Sequence, residues 1–252
     1  MSQQLIRKLE VVERLSESER EMVRALCADV RTIARRRDII SEGDDPDFVH
    51  VVIDGWAARY KVLEDGARSI TAFFMPGDFC DLHVTILDAM DHGILALTDC
   101  KVGYIANQDI DQVTRVSATL ARAFWRSTLV DEAILREWVV SAARRTAVHS
   151  LGHLFCELHL RAKLVGLADD GRLDLPLTQE DLADATGLTP VHVNRMLQEL
   201  RKQGLIEIGR RELVVLDVPA LQQFSGFDPT YLHVKLSHDY PDDRPRHAPS
   251  MT

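Results

Sequence analysis

Short runs of β-forming residues fill most of the first hundred positions of the chain. Between Arg37 and Ala106 these runs are separated by glycine turns such as Asp54-Gly55. An Asp-Gly pair between two β-rich runs favours a hairpin, and many short strands at this spacing predict a sandwich or barrel. Two short helices precede the strands, between Leu5 and about Ala28. We therefore predict one β-rich domain with N-terminal helices over 1–108.

A helical period replaces the β pattern from about Asp109 to Ser141. Residues at three- and four-residue steps form a narrow apolar stripe, which is typical of a coiled-coil seam. We predict a dimerisation helix over 109–143 and expect the stripe to contact a second copy of the chain. The alternative is burial of this helix against the chain's own β domain, with Phe124 and Trp125 on the adjacent face. The predicted interface consists of Leu120, Ala123, Ser127, Val130, Ile134 and Trp138, with Val116 extending the stripe at its start.

The stretch from Thr178 to Leu200 predicts two helices joined by a sharp turn. Thr178 can cap the first helix, and Thr189 can cap the second, with Pro190 at a first-turn position where its missing N–H costs nothing. Gly187 supplies the backbone freedom that the turn needs. Apolar residues of the second helix fall on one side, and its other face carries Val191, His192, Asn194, Arg195 and Gln198. A short polar face of this kind suits the DNA major groove.

Two further strands follow this helix pair, over Leu205–Ile208 and Leu213–Leu216. Gly209-Arg210-Arg211-Glu212 joins them, so two arginines lie at the tip of a hairpin, where they can touch phosphate. A helical hairpin that merely packs is the alternative, but helix, turn, helix and basic hairpin in this order favour a winged helix over 144–224. The predicted DNA-binding residues are Thr178, Thr189, Val191, His192, Asn194, Arg195, Gln198, Arg210 and Arg211, with the recognition helix over 190–203 in the major groove.

Composition narrows the class of protein. The chain has 252 residues, of which 46% are hydrophobic and 27% charged, as in globular proteins. It shows no membrane-spanning run and no signal peptide, so we predict a cytoplasmic protein with no membrane contact. The net charge of −9 does not exclude a DNA partner, because binding depends on the local face. The tail over 225–252 is rich in Pro, Asp and His near its end, and we predict partial disorder there.

Known catalytic and metal-binding motifs do not occur in the sequence. It has no nucleophile elbow, phosphate-binding glycine loop or HExxH motif, so we predict that the protein is not an enzyme. The four cysteines are far apart, at Cys27, Cys80, Cys100 and Cys156. No CxxC pair is present, so no metal site is predicted and buried reduced thiols are the expectation. A redox role for one of the thiols is the alternative.

The order of a β-roll, a long helix and a winged helix resembles the CRP/FNR family of bacterial transcription regulators. The motifs that carry the resemblance are Glu42-Gly43-Asp44, Gly55, Pro76-Gly77-Asp78 and residues 178–195. It implies an α+β fold in which 1–108 is a cyclic-nucleotide-binding-like jelly-roll sensor domain. It also implies a homodimer that binds double-stranded DNA at a near-palindromic site and acts on transcription together with RNA polymerase.

The resemblance also implies roles for single residues of the recognition helix. Thr189 and His192 match phosphate-contacting positions, Asn194 matches a position that tunes base choice, and Arg195 matches the arginine that reads a guanine. Arginine is bidentate to guanine O6 and N7, which agrees with this role. Where the family often has Arg-Glu, this chain has Pro190-Val191. Val191 offers only an apolar contact, for example to a thymine methyl group.

The sensor pocket departs from the pattern of members that bind cyclic AMP, which carry an Arg-Ser pair on the cyclic phosphate. Here no arginine occurs from Gly77 to Asp99, so we predict that cyclic AMP does not bind. The effector is not identified. Haem held by His83, His92 and Cys80 is one alternative, and ordinary pocket side chains are the other. The candidate pocket residues are Phe79, Cys80, Leu82, His83 and His92.

Two other function classes remain beside the DNA-binding regulator. One is a cyclic-nucleotide-binding-like regulatory subunit, and the other is a haem or redox sensor; both would act without direct DNA readout. The winged helix argues against the regulatory subunit, as does the missing phosphate arginine. A mobility-shift assay on promoter DNA separates the DNA-binding regulator from this subunit and from an enzyme.

Overall fold

The computed structural model describes residues 2–11, 13–82 and 86–234. Helices α1 (Gln3–Glu10) and α2 (Glu17–Leu26) come first. Ser16 caps α2 in a reciprocal box, in which its hydroxyl accepts from the Glu19 amide and the Glu19 carboxylate accepts from the Ser16 amide. The apolar faces of both helices pack on the β domain through residues such as Leu5, Leu9 and Val23.

The β domain is a jelly-roll-like pair of antiparallel sheets, as predicted. One sheet has the order β1-β7-β3 and the other β2-β6-β4-β5. Residues such as Val52, Phe74 and Val102 fill the space between them and are almost fully buried. The strands are β1 (Val30–Ile33), β2 (Asp38–Ile40), β3 (Phe48–Asp54), β4 (Ala57–Val62), β5 (Arg68–Phe74), β6 (Gly93–Ala96) and β7 (Cys100–Ala106).

The long helical segment is broken, and the prediction of one continuous helix is wrong. Helix α3 (Asn107–Val116) ends at Ser117, and α4 (Ala118–Arg144) begins after it. Ser117 has extended backbone, and its hydroxyl accepts from the Leu120 amide at 3.1 Å and donates to Glu19 at 2.7 Å. Serine competes for backbone hydrogen bonds, which favours a cap over a helix interior. Val116 therefore ends α3, and its side chain is exposed.

Half of the predicted seam packs inside the chain: Leu120, Ala123 and Ile134 are buried there, whereas Ser127, Val130 and Trp138 keep some exposed surface. Leu120 and Ala123 are fully buried, and Ile134 is 5% exposed. Val130 and Trp138 are partly buried against the same core as Ile134, and Ser127 is half-buried and bonded to the Ala123 carbonyl. The buried side chains cover the chain's own β domain and following helix, as the alternative proposed. Phe124 is buried as that alternative expected, whereas Trp125 is 70% exposed. A residue with no exposed surface has none to offer a second copy.

The C-terminal half is a winged helix. Its core contains Phe155, Leu182, Val193, Leu200 and Leu213. A four-stranded antiparallel sheet of order β10-β11-β9-β8 flanks the helices. The elements are α5 (Ala147–Leu164), β8 (Ala168–Asp169), β9 (Arg172–Asp174), α6 (Gln179–Thr186), α7 (Pro190–Lys202), β10 (Ile206–Ile208), β11 (Glu212–Val215) and α8 (Val218–Ser225). None of the helices described over 2–234 is long and apolar enough to cross a membrane.

The ordered fold continues past Phe224, where the sequence predicted the tail to begin. A 3₁₀ turn over Pro229–Leu232 packs on α4 and α5. Phe227 and Leu232 are buried, and the Tyr231 hydroxyl donates to Glu157 at 2.9 Å. These aromatic side chains are not spaced like those of a helix or strand, so hydrophobic periodicity does not reveal that they are buried. The rest of the predicted tail, 235–252, lies outside the described residues.

Candidate functional site

Helix α7 begins with a local arrangement that exposes its first turns. Gly187 has a φ of +68°, a left-handed conformation that turns the chain between α6 and α7. The Thr189 hydroxyl accepts from the His192 amide at 3.2 Å, and Pro190 occupies the first turn. The buried side of α7, with Val193 and Leu200, fixes the helix on the domain core. The opposite side is therefore held rigidly toward solvent.

Exposed side chains of α7 form one surface, which we name the reading face. It consists of Val191, Asn194, Arg195 and Gln198, spaced by three and four residues and all exposed. Val191 has 72% of its surface exposed, which is unusual for a branched apolar residue. His192 is half-buried beside the face. The structure thus brings together four of the predicted DNA-binding residues.

The remaining predicted DNA contacts lie on two other elements. Thr178 caps α6, and its hydroxyl is already engaged, because it donates to Asp181 at 2.7 Å and accepts from the Asp181 amide at 3.1 Å. Arg210 and Arg211 are exposed in the turn between β10 and β11. The two arginines therefore lie where the sequence predicted them, at the tip of a hairpin. The Thr178 hydroxyl has a structural role as the cap of α6.

A small cleft lies between the β domain, α4 and α5. Its cavity of about 30 Å³ is lined by Phe79, Cys80 and Leu82, three of the predicted pocket residues. His92 does not line this cleft, and its Nδ1 lies 2.5 Å from Asp91. The structure therefore places His92 outside this cleft, with its side chain toward the carboxylate of Asp91. His83 lies outside the described residues.

Charged side chains from four elements reach this cleft, and sequence reasoning did not place Lys8, Asp131 or Arg161 there. Arg59 of β4 is 8% exposed and donates to the Cys80 carbonyl and to Asp131 of α4, both at 2.9 Å. Lys8 and Arg161 line the cleft from α1 and α5. The segment from Gly77 to Asp99 does lack arginine, but other segments supply cations to the same space. The signal for Arg59 in the sequence was an arginine in the middle of β4, directly after two buried alanines.

Asp78 joins two of these cations. It binds Lys8, and its Oδ2 lies 2.8 Å from Arg161 Nη2. Burial works to raise the pKa of Asp78, but the charges of Lys8 and Arg161 outweigh it and lower that pKa. Arg161 Nη1 also donates to the buried Glu157 at 3.1 Å. This network ties the first helix, the turn after β5 and the winged helix together.

The cysteines are buried thiols in the described chain. Burial raises the pKa of Cys27 to about 11 and that of Cys156 to about 12. The pKa of Cys80 is also raised well above its usual value by burial and by nearby Asp81. Thiolates are the reactive form, so these environments disfavour thiol oxidation. No group of three or more His, Cys, Asp or Glu placed to hold a metal ion occurs among the described residues.

Two family models match this chain in the order of its domains. The cyclic nucleotide-binding domain matches residues 30–116, and the Crp-like helix-turn-helix domain matches residues 151–224. The second match contains the reading face and the basic hairpin. The chain belongs to the CRP/FNR family of transcription regulators. The predictions of the family, of the fold and of a DNA-binding regulator are thereby confirmed.

Relatives within the CRP/FNR family include named regulators. The transcriptional activator protein FnrL of Cereibacter sphaeroides is 28% identical over 202 residues, which cover 79% of this chain and 81% of FnrL. The nitrogen fixation regulation protein FixK of Azorhizobium caulinodans is 25% identical and covers 77% of each chain. The structure of FixK2 from Bradyrhizobium japonicum is similar with a TM-score of 0.70 and 26% identity, over 77% of this chain and 96% of that one.

Proposed function

We propose that this regulator acts as a homodimer in which each copy inserts α7 into the major groove of one half of a near-palindromic site. The exposed Arg195 at the centre of the reading face carries this proposal. An exposed arginine held on a rigid helix suits bidentate binding to a guanine. The protein is then a regulator and not an enzyme, and it acts in the cytoplasm.

The other residues of the interface divide into base and phosphate contacts. Val191 meets a thymine methyl group, and Asn194 and Gln198 meet neighbouring bases. Thr189, His192 and the hairpin arginines Arg210 and Arg211 contact phosphate and set the register of the helix. Because Val191 replaces a family carboxylate, the preferred half-site differs from that of members with glutamate at this position.

The opposite face of α4 provides the dimer seam. Its positions 125, 129, 132, 136, 139 and 143 recur at four- and three-residue steps, about half a turn away from the buried stripe. Trp125, Leu129 and Val139 are 70%, 51% and 61% exposed. Glu132 and Arg136 pair within the helix at 3.0 Å. Exposed apolar residues in a coiled-coil pattern favour a second copy of the same helix as the partner.

Cyclic AMP is not the effector in this proposal. Each cation of the cleft already has a carboxylate partner: Arg59 binds Asp131, and Lys8 and Arg161 bind Asp78. A cyclic phosphate would have to displace such a pair, and the cavity is far below the roughly 300 Å³ of a small-ligand pocket. Haem is not favoured either, because His92 lies outside the cleft and the cavity beside Cys80 is only about 30 Å³.

Selection of binding sites from random duplex DNA tests the DNA-binding proposal. We expect an enriched sequence with two inverted half-sites about one helical turn apart, each with one invariant guanine. Enrichment of no sequence would favour a regulatory subunit or sensor without DNA readout. RNA polymerase is the proposed partner on that DNA, and transcription from a selected site in vitro tests it. Titration calorimetry with cyclic AMP should show no saturable heat at micromolar concentration, whereas tight binding coupled to higher DNA affinity would contradict the proposal.

A further inference from the structure

Two arginines of the β domain hold the first helix of the helix-turn-helix pair. Arg36 Nη1 and Nη2 lie 2.7 and 3.1 Å from the two carboxylate oxygens of Asp181 in α6. Arg68, the first residue of β5, donates to Asp181 at 3.2 Å and to Asp184 at 2.7 Å. We name these four residues the clasp.

The clasp differs from an ordinary surface ion pair. Asp181 is 1% exposed, and its neighbours Leu182 and Ala183 belong to one apolar cluster with Ile70 and Phe73 of the β domain. Burial works to raise the pKa of Asp181, but hydrogen bonds from Arg36 and Thr178 outweigh it and lower that pKa. Arg36 has a φ of +62°, and its amide donates to the Ala96 carbonyl at 2.8 Å. A non-glycine residue in this region is strained, so the surrounding fold fixes the position of Arg36.

The clasp leaves the reading face open. It occupies α6, whereas Val191, Asn194, Arg195 and Gln198 on α7 are exposed in the same arrangement. A contact that blocked DNA would have to cover this face. The clasp also neutralises two carboxylates on the helix next to α7, where uncompensated negative charge would repel phosphate.

We propose that the clasp holds the winged helix on its own β domain in the arrangement that binds DNA, so that Arg36 and Arg68 are positioning residues for DNA binding. This inference rests on the proposed DNA-binding function. If the clasp opens, the winged helix can take several positions relative to the β domain, and only one of them binds DNA. The apparent dissociation constant then rises by the factor through which the competent fraction falls.

Charge reversal on the β domain tests the clasp without altering the winged helix. Arg68→Glu and Arg36→Glu are compared with Arg35→Glu, an exposed neighbour that gives the same change in net charge. We measure the dissociation constant on the selected DNA site at fixed salt by fluorescence anisotropy. The clasp variants should bind about tenfold more weakly, and the control within about twofold of the wild type. If a charge-reversed variant does not fold, Arg68→Gln replaces it in the comparison, because this substitution removes the charge without reversing it.

A charge swap identifies the pair. Asp184→Arg should also weaken binding, and Arg68→Glu combined with Asp184→Arg should restore it to within about threefold of the wild type, a non-additive result that only interacting residues give. A second readout is independent of DNA: trypsin should cleave the connection at Arg144 and Arg145 faster in Arg68→Glu than in Arg35→Glu, because opening of the domains exposes it.

Several outcomes would overturn the clasp. They are DNA binding by Arg68→Glu as tight as that of Arg35→Glu, binding tighter than the wild type, or a charge swap that restores nothing. Arg195→Ala separates the two proposals, since it should weaken DNA binding and leave the trypsin cleavage rate at the wild-type value. Wild-type DNA affinity in Arg195→Ala counts against the DNA-binding proposal, whatever the clasp variants do.

Discussion

Arg161 Nη2 of α5 lies 2.8 Å from Asp78 Oδ2, in the turn that follows β5. The same nitrogen donates to the Phe73 carbonyl at 2.8 Å, so one guanidinium joins the winged helix to the β domain at two points. Both side chains are nearly buried, with 11% and 5% of their surface exposed. Burial works to lower the pKa of Arg161, but the charges of Asp78 and Glu157 outweigh it and raise that pKa.

Loss of this buried cation should be strongly destabilising. Arg161→Met leaves Asp78 with Lys8 alone and leaves the buried Glu157 without a cation. We expect the free energy of unfolding in urea to fall by about 3–5 kcal/mol. Arg136→Met, which breaks an exposed pair with Glu132, should change it by less than about 0.5 kcal/mol. Equal effects of the two substitutions would show that the buried network does not join the domains.

Charges in the seam of α4 should separate the dimer without unfolding the chain. Leu129→Glu combined with Val139→Glu places carboxylates on exposed positions, and light scattering should then give the mass of one chain. Val62→Glu combined with Leu63→Glu is the matched control, because these residues are 51% and 58% exposed at the end of β4 and in the turn that follows it. A dimeric seam variant, or a monomeric control, contradicts the proposed interface.

His153 should make the fold sensitive to acid. It is 1% exposed, and burial, followed by the charge of Arg145, lowers its pKa from 6.5 to about 3. The nearby carboxylate of Glu137, at 3.5 Å, is itself bound to Arg145 at 2.5 Å. The folded state therefore binds fewer protons than the unfolded state between these pKa values. The stability from neutral His153 is complete above about pH 6.5 and is lost as the pH falls toward 3.

Urea titrations of the wild type and of His153→Gln measure this effect. Between about pH 7 and about pH 5 the wild type should lose about 2 kcal/mol more of its unfolding free energy than the variant. Parallel losses in the two proteins would mean that His153 does not stay neutral in the fold.

The thiols should be inert in the native protein. Burial raises the pKa of Cys27 and Cys156, and it does the same for Cys80 and Cys100. A thiol reagent at mildly alkaline pH should therefore modify none of them until denaturant is added. Lys101→Cys, an exposed position beside Cys100, should react at once and provides the control. Rapid modification of one native thiol would support the redox alternative.

Local rules were sufficient for much of the fold. The caps Thr178 and Thr189, the turn at Gly187 and the Asp-Gly hairpins act over a few residues, so the sequence alone indicated the helices and strands around them. The reading face was predicted for the same reason, since residues 191, 194, 195 and 198 share a side of any helix that begins at Pro190.

Long-range packing was beyond those rules. Helix α4 is apolar on two faces, and the stronger stripe, through Leu120 and Ile134, belongs to the core. The proposed seam also contains Glu132 and Arg136, so its positions do not form a continuous apolar stripe in the sequence. Arg59 and Arg161 reach the cleft from strands and helices far from Cys80 in sequence, which only the three-dimensional register reveals.

The most direct test of sequence-specific reading is the pairing of Arg195 with a guanine. We compare Arg195→Ala with Arg115→Ala, an exposed arginine of α3, on the selected site and on the same site with its invariant guanine replaced. Arg195→Ala should weaken binding to the intact site by about 1–3 kcal/mol, and replacement of the guanine should cost it little more, because the contact is already lost. Arg115→Ala should bind the intact site as tightly as the wild type does, and it should lose affinity when the guanine is replaced. Wild-type affinity of Arg195→Ala for the intact site would contradict the account.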